Sequence, residues 1–281
     1  MLPAKATQIK LFGLLATKAI RESKIKCVRR TTLRNLDIVR HAVEGIVGAQ
    51  PTDATIWKSI RHRDINRRAR DYLWKCLHGA HRIGEWWRNI PDHEHRALCL
   101  KCGVDETMDH ILTDCDIPGQ QIIWRLVKHA LIAKRGDSPQ ISFGLILGCG
   151  ALSLSHGKQK LPGTSRLLRI LISESAHLIW KLRCERVMER GTDPASWHNE
   201  REIRARWAAR INQRLKLDQA QLRSRYRSRT LTKDLVLCTW SGVLQDEHQY
   251  PDDWVSYAGV LVGMGPTLAM LQPPGCRHGI G

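Results

Sequence analysis

The sequence predicts an all-α protein: a helical module with a small Cys-Cys-His-Cys zinc knuckle, followed by a region of long helices. Three observations carry this reading. Apolar residues recur at helical spacing along most of the chain, and no segment alternates as a half-buried strand does. Apolar residues make up 42 % of the sequence, enough for a real core. At 281 residues the chain is long enough for one large domain or two small ones, and it buries enough surface to need no disulfides.

The elements follow in chain order. Residues 1–51 read as a basic helical lead-in, with ten Lys/Arg against three acids over the first fifty positions. Met1 to Ile20 lacks a continuous apolar stretch and a small-residue cleavage site, so it is not a secretory signal. It reads as a basic helix, with a mitochondrial presequence as the alternative. Residues 32–48 carry Leu33, Leu36, Ile38, Val39, Ala42, Val43 and Ile46 at helical spacing, ending near Gly48. Gln50-Pro51-Thr52-Asp53 breaks the chain and offers Thr52 or Asp53 as an N-cap.

The zinc module is expected over residues 52–134. Asp64 is positioned to cap a helix over 65–78, with Ile65, Ala69, Tyr72, Leu73, Cys76 and Leu77 inward and Arg67, Arg68, Arg70 and Lys75 outward. Gly79 stops it, and Trp86, Trp87, Ile90 and Pro91 form an aromatic connector. Pro118 is placed to open a helix bearing Ile122, Ile123, Leu126, Val127, Ala130 and Leu131, since a first helical position needs no N–H. Residues 135–165 are rich in Gly and Ser and read as a loop or hinge, with one short apolar piece from Phe143 to Leu147.

The basic helical region is expected over 166–245. It comprises a helix over 166–190, a second over 197–229, and a third over 231–244. The second carries ten Lys/Arg against three acids. Acids for pairing one turn apart appear scarce there, so Arg204, Arg210, Arg214, Arg223, Arg225 and Arg229 read as phosphate contacts, helped by Arg67, Arg68 and Arg70. A solvated helix face is the alternative. Trp197 and Trp207 are expected in the core. Residues 246–281 form a tail, expected to be poorly ordered after 265.

Charge points to a class of partner. Lys+Arg is 45 against 27 Asp+Glu, a net +18 with histidine neutral. That excess attracts polyanions, nucleic acid first and anionic lipid second. Ten Trp against two Phe supply bulk suited to helix packing or base stacking. No run of 18 apolar residues exists to span a membrane. The nine cysteines are odd in number and mostly solitary. Cys27, Cys76, Cys184 and Cys238 read as small buried hydrophobes, which suits a reducing compartment, nucleus or cytoplasm.

One cysteine cluster carries chemistry. Cys99, Cys102, His110 and Cys115 have the spacing C-x2-C-x7-H-x4-C, a full tetrahedral donor set for zinc. Gly103 permits the positive φ of a tight knuckle. A short helix from Asp105-Glu106-Thr107 is expected to bring His110 back, with Glu106 and Asp114 as helix caps. All four positions are filled by protein, so the metal reads as structural, whereas a catalytic zinc keeps one position open. A redox C-x-x-C is the competing reading, but no βαβ context surrounds it.

The stretch from Trp57-Lys-Ser-Ile-Arg-His-Arg-Asp-Ile65, through Tyr72-Leu-Trp74 and Trp87-Arg-Asn-Ile-Pro91, leads into this cluster. Together with Ser173-Glu-Ser-Ala-His-Leu-Ile-Trp180 further on, it resembles the reverse-transcriptase zinc-binding region near the C-terminus of fungal non-LTR (LINE-like) retrotransposon polyproteins, over roughly residues 20–262. The resemblance implies zinc on Cys99, Cys102, His110 and Cys115 and the handling of RNA or DNA beside a polymerase domain in a longer polyprotein.

Catalytic motifs fail on inspection. Tyr250-Pro251-Asp252-Asp253 imitates a polymerase box, but the polar flanks and the missing strand-borne carboxylate argue for a solvated loop. The same Pro-Asp cannot begin a nuclease motif, because no Lys follows Lys233. Gly148-Cys149-Gly150 lacks the Gly-Lys-Ser/Thr of a phosphate loop. The expectation is therefore a non-catalytic nucleic-acid-binding module, with contacts that do not select sequence. The alternatives are a protein-interaction module and the remnant of a polymerase or nuclease.

Overall fold

The computed structural model describes residues 29–222 and 231–263. Helix α1 (Arg30–Val47) buries Leu36, Val39 and Val43 and ends on Gly48, whose φ of 77° only glycine adopts cheaply. Helix α2 (Asp53–Ile60) is capped by Thr52, which accepts from the N–H of Thr55. Helix α3 (Arg67–Leu77) is capped by Asn66, not by Asp64 as the sequence suggests. Asp64 is instead buried against Arg166 and Arg169, an ion pair across about a hundred residues that local sequence cannot reveal. A short turn α4 (Glu85–Arg88) carries Trp86 and Trp87.

Helix α5 (Gln120–Arg135) begins two residues after Pro118, because Gly119 adopts a φ of 141° and reorients the chain first. The segment expected as a loop or hinge carries α6 (Phe143–Leu147), and residues 143–150 are all buried. Its glycines explain this. A Cβ at Gly144 would lie 2.5 Å from the carbonyl oxygen of Ile38, and one at Gly150 would lie 2.1 Å from that of Ser59. The missing side chains let α6 and the turn after it press onto α1 and α2. A two-residue hairpin, β1 (Ser155–His156) and β2 (Gln159–Lys160), then leads to Pro162.

Helix α7 (Pro162–Glu185) is the axis of the protein and is buried on nearly every side. It packs against α3, α5, α6, α8 (Glu200–Leu222) and α9 (Lys233–Trp240). Helix α8 lays Ile203, Trp207, Ile211 and Leu215 against it, and the Trp207 indole donates to Ser175 Oγ at 2.9 Å. Trp207 is therefore core as expected, while Trp197 is only half-buried. One apolar cluster runs from Leu36 to Val262 through all these helices.

At its centre Arg166 donates to both oxygens of Asp218, at 2.6 and 2.8 Å, and to Asp64 Oδ1 at 3.2 Å. The Trp240 indole donates to Asp218 as well. Burial pushes the Asp64 carboxyl up, but Arg166 and Arg169 outweigh it and hold it below the usual range.

Of the cysteines expected as small core residues, Cys76 is buried, Cys184 half-buried and Cys238 exposed. Cys238 stands exposed on α9 beside the buried Thr239 and Trp240. Cys27, most of the lead-in, the arginines at 223, 225 and 229, and the tail from 264 on lie outside the described residues. No described helix is long and apolar enough to cross a membrane.

Candidate metal centre and basic surface

The knuckle is built by backbone pairing over a few residues. Leu98 and Asp105 form an antiparallel bridge, and the Cys99 N–H donates to the Val104 carbonyl at 2.8 Å. The Gly103 N–H returns to the Cys99 carbonyl at 2.9 Å, with Gly103 at φ 68°. Thr107 Oγ then accepts from the His110 N–H at 3.0 Å and starts a wide helical turn, His110–Asp114. Cys115 follows in extended conformation. Gln120 of α5 fixes this end by donating to the Thr113 and Cys115 carbonyls at 2.9 and 3.3 Å.

These turns bring one ligand atom each from Cys99, Cys102, His110 and Cys115 within 4.8 Å of one another. Cys99 and Cys115 Sγ lie 3.7 Å apart, far beyond the length of a disulfide bond. Two thiolates on a tetrahedral zinc at about 2.3 Å each would stand about 3.8 Å apart. The Asp116 N–H points at Cys102 Sγ at 3.4 Å, the kind of contact that steadies a thiolate. His110 Nε2 is buried and has no hydrogen-bond partner. An imidazole nitrogen stranded beside three sulfurs is costly unless something binds it.

The thiols themselves ask for a cation. Burial pushes both Cys99 and Cys115 up. At Cys99, donation led by the Cys102 backbone outweighs that and draws the thiol below its ordinary value. At Cys115 the neighbouring Cys99 charge adds to burial and keeps the thiol protonated. A divalent metal would supply the countercharge that favours both thiolates. The cluster can hold a metal ion.

A clamp missed by sequence reasoning seats this loop. Glu106 is no helix cap. Its buried carboxylate pairs with Arg183 and Arg186 of the α7 end, with Arg183 Nε at 3.1 Å and an Arg186 nitrogen at 3.6 Å. Arg186 also lies over the Trp197 ring, 5.3 Å from its centroid. Asp114 is exposed and ends the helical turn. A carboxylate one residue past a bridge residue gives no local sign of a partner almost eighty positions away.

The arginines proposed for phosphate divide into groups. Arg67 and Arg68 are exposed on α3. Arg70 is half-buried and donates from Nε to the Ile65 carbonyl at 2.7 Å. Arg204, Arg210 and Arg214 are half-buried and face acids of this chain, Glu200 at 3.7 Å, Glu174 at 3.4 Å and Asp218 at 3.9 Å. The expected scarcity of acids is thus corrected on α8. Its few acids sit one turn from arginines, and Glu174 and Glu185 of α7 supply the rest. Arg223, Arg225 and Arg229 lie outside the described residues.

Tyr250-Pro251-Asp252-Asp253 lies between two short turns, with Asp252 and Asp253 exposed and Asp253 paired to Lys233. His177 is pushed down to about 4 by burial and by Arg210, and His198 pairs with Glu185 at 3.2 Å.

No protein-family model, no curated protein sequence and no solved structure matches this chain.

Proposed function

We propose that the chain is a zinc-stabilised, non-catalytic nucleic-acid-binding module, of the kind found at the C-terminal end of retrotransposon reverse transcriptases. The observation that carries the metal half is the convergence of Cys99, Cys102, His110 and Cys115 around a stranded imidazole nitrogen. The three thiols and one imidazole are a borderline-soft donor set that suits zinc over magnesium or calcium. Zinc here would fold the loop and hold it against α7, with no catalytic step of its own.

The nucleic-acid half rests on the +18 balance and on exposed basic residues. Because Arg204, Arg210 and Arg214 are engaged within the chain, the reading leans on Arg67 and Arg68 of α3. Such contacts add affinity without sequence choice. Binding of labelled duplex DNA measured across salt tests it. Log K should fall by about 0.9 per phosphate neutralised for each unit of log salt. Replacing Arg67 and Arg68 together by Gln should flatten that slope by about two units and weaken all sequences alike. An interaction module whose charges only keep it dissolved would show no salt-dependent binding at all.

A further inference from the structure

Three aromatic rings meet on the outer side of α2 and α3, Trp57 stacked on His78 and Trp74 tilted against it. His78 lies between Trp57, 5.1 Å away at an interplanar angle of 24°, and Trp74, 4.3 Å away at 57°. The pile is anchored from below. Thr32 of α1 bonds His78 Nδ1 at 3.1 Å, and Asn35 donates to the Cys76 and Leu77 carbonyls. Trp57 also packs against the main core. The outermost ring, Trp74, is 47 % exposed, the most exposed tryptophan among the described residues. Packing does not account for an indole left on the surface above a fixed aromatic stack.

The surroundings are cationic. Residues 57–78 hold seven Lys/Arg against Asp64 and Asp71, and Asp64 is buried under Arg166 and Arg169. Arg67 stands two turns before Trp74 on the same side of α3, Lys75 follows Trp74 in the chain, and both are exposed. Arg29 lies close enough to His78 that burial and its charge together hold the imidazole below its ordinary range. The one acid of that turn in solvent is Asp71.

We propose that Trp74, backed by His78 and Trp57, is a stacking platform for an unpaired base of single-stranded RNA or DNA, with Arg67 and Lys75 beside it on the phosphates. This rests on the nucleic-acid reading above and gives it a substrate class. Stacking on an exposed ring needs a free base face, which a closed duplex does not offer except at its ends. A face of arginines alone would favour the duplex with its denser charge. The platform selects unpaired strands without selecting sequence, because every base has a π-face.

The test compares the zinc-loaded full chain with its Trp74→Ala and Trp74→Phe variants. Binding of a labelled oligothymidine and of a mixed-sequence duplex of equal length is measured from low to moderate salt. Trp74→Ala should weaken oligothymidine binding about tenfold at every salt, shifting the line of log K against log salt without changing its slope. Trp74→Phe should recover most of the loss, and duplex binding should change less than twofold. Lys75→Gln should instead flatten the oligothymidine slope by about 0.7. Trp74 is exposed, so an unchanged melting temperature verifies that each variant folds. Oligothymidine binding untouched by Trp74→Ala, with both polymers still bound, overturns the platform and spares the broader reading. Failure of the parent chain to bind either polymer overturns both.

Discussion

Replacing Glu106 by alanine removes the carboxylate that two guanidinium groups share. The side chains of Glu106, Arg183 and Arg186 are 5, 12 and 5 % exposed. Removing one partner of a buried pair costs about 3–5 kcal/mol, because the remaining charge is left without compensation. Here each arginine keeps an aromatic ring, Arg183 over Trp180 at 5.4 Å and Arg186 over Trp197 at 5.3 Å. Contacts of that kind offset about 0.5–2 kcal/mol. The net loss is therefore at the lower end, about 3 kcal/mol, a large share of the 5–15 kcal/mol of a typical domain. Urea unfolding of the zinc-loaded protein reads it as a lower midpoint at unchanged slope. The double variant Glu106→Leu/Arg183→Leu should lose less than the sum of the two single changes. A loss below about 1 kcal/mol for Glu106→Ala would show that these charges are solvated and that the knuckle is not tied to α7 through them.

Asp218→Asn should cost about 3 kcal/mol or more, since Arg166 and the Trp240 indole both depend on that carboxylate. Pairing it with Arg166→Met should recover part of the loss, as chemical denaturation of the double variant would show. Gly150→Ala should destabilise by at least about 1–3 kcal/mol, because its Cβ would meet the Ser59 carbonyl at 2.1 Å; an unchanged melting temperature would place the α2 and α6 segments farther apart than described. Donation from Arg206 outweighs burial and, with His198, draws Glu185 from 4.5 to about 2. A depressed carboxylate stabilises fully above its unfolded value, so this contribution fades as pH falls from about 4.5 to 2. Glu185→Gln should lower stability at pH 7 and flatten its decline over that window in acid unfolding curves.

The parts legible in the sequence were those written locally. Thr52 as a cap, the inward face of α3, Gly48 as a helix stop and the Cys/His spacing all depend on neighbours within one or two turns. What stayed hidden was carried by long-range pairing. Asp64 looks like a helix cap until Arg166 is folded over it, and Glu106 until Arg183 and Arg186 arrive. The stretch around Gly144 and Gly150 reads as loop because glycine is a helix breaker, yet here small size serves close packing. On α8 a count of charges overstated the free arginines, since the acids that hold them sit partly on α7. The cluster of Trp57, His78 and Trp74 joins two helices, so no single periodicity displays it.

The central claim is that Cys99, Cys102, His110 and Cys115 fold around one structural zinc. Metal analysis of the purified chain under reducing conditions tests it most directly, with Cys102→Ser alongside. The account predicts one zinc per chain, released by acid or chelator as the thiolates are protonated or outcompeted, with proteolysis then opening the loop near residue 110. The Cys102→Ser protein should hold zinc far more weakly. A parent chain that purifies without stoichiometric zinc, takes up none when it is offered, and shows the same protease resistance near residue 110 with and without the metal would contradict it.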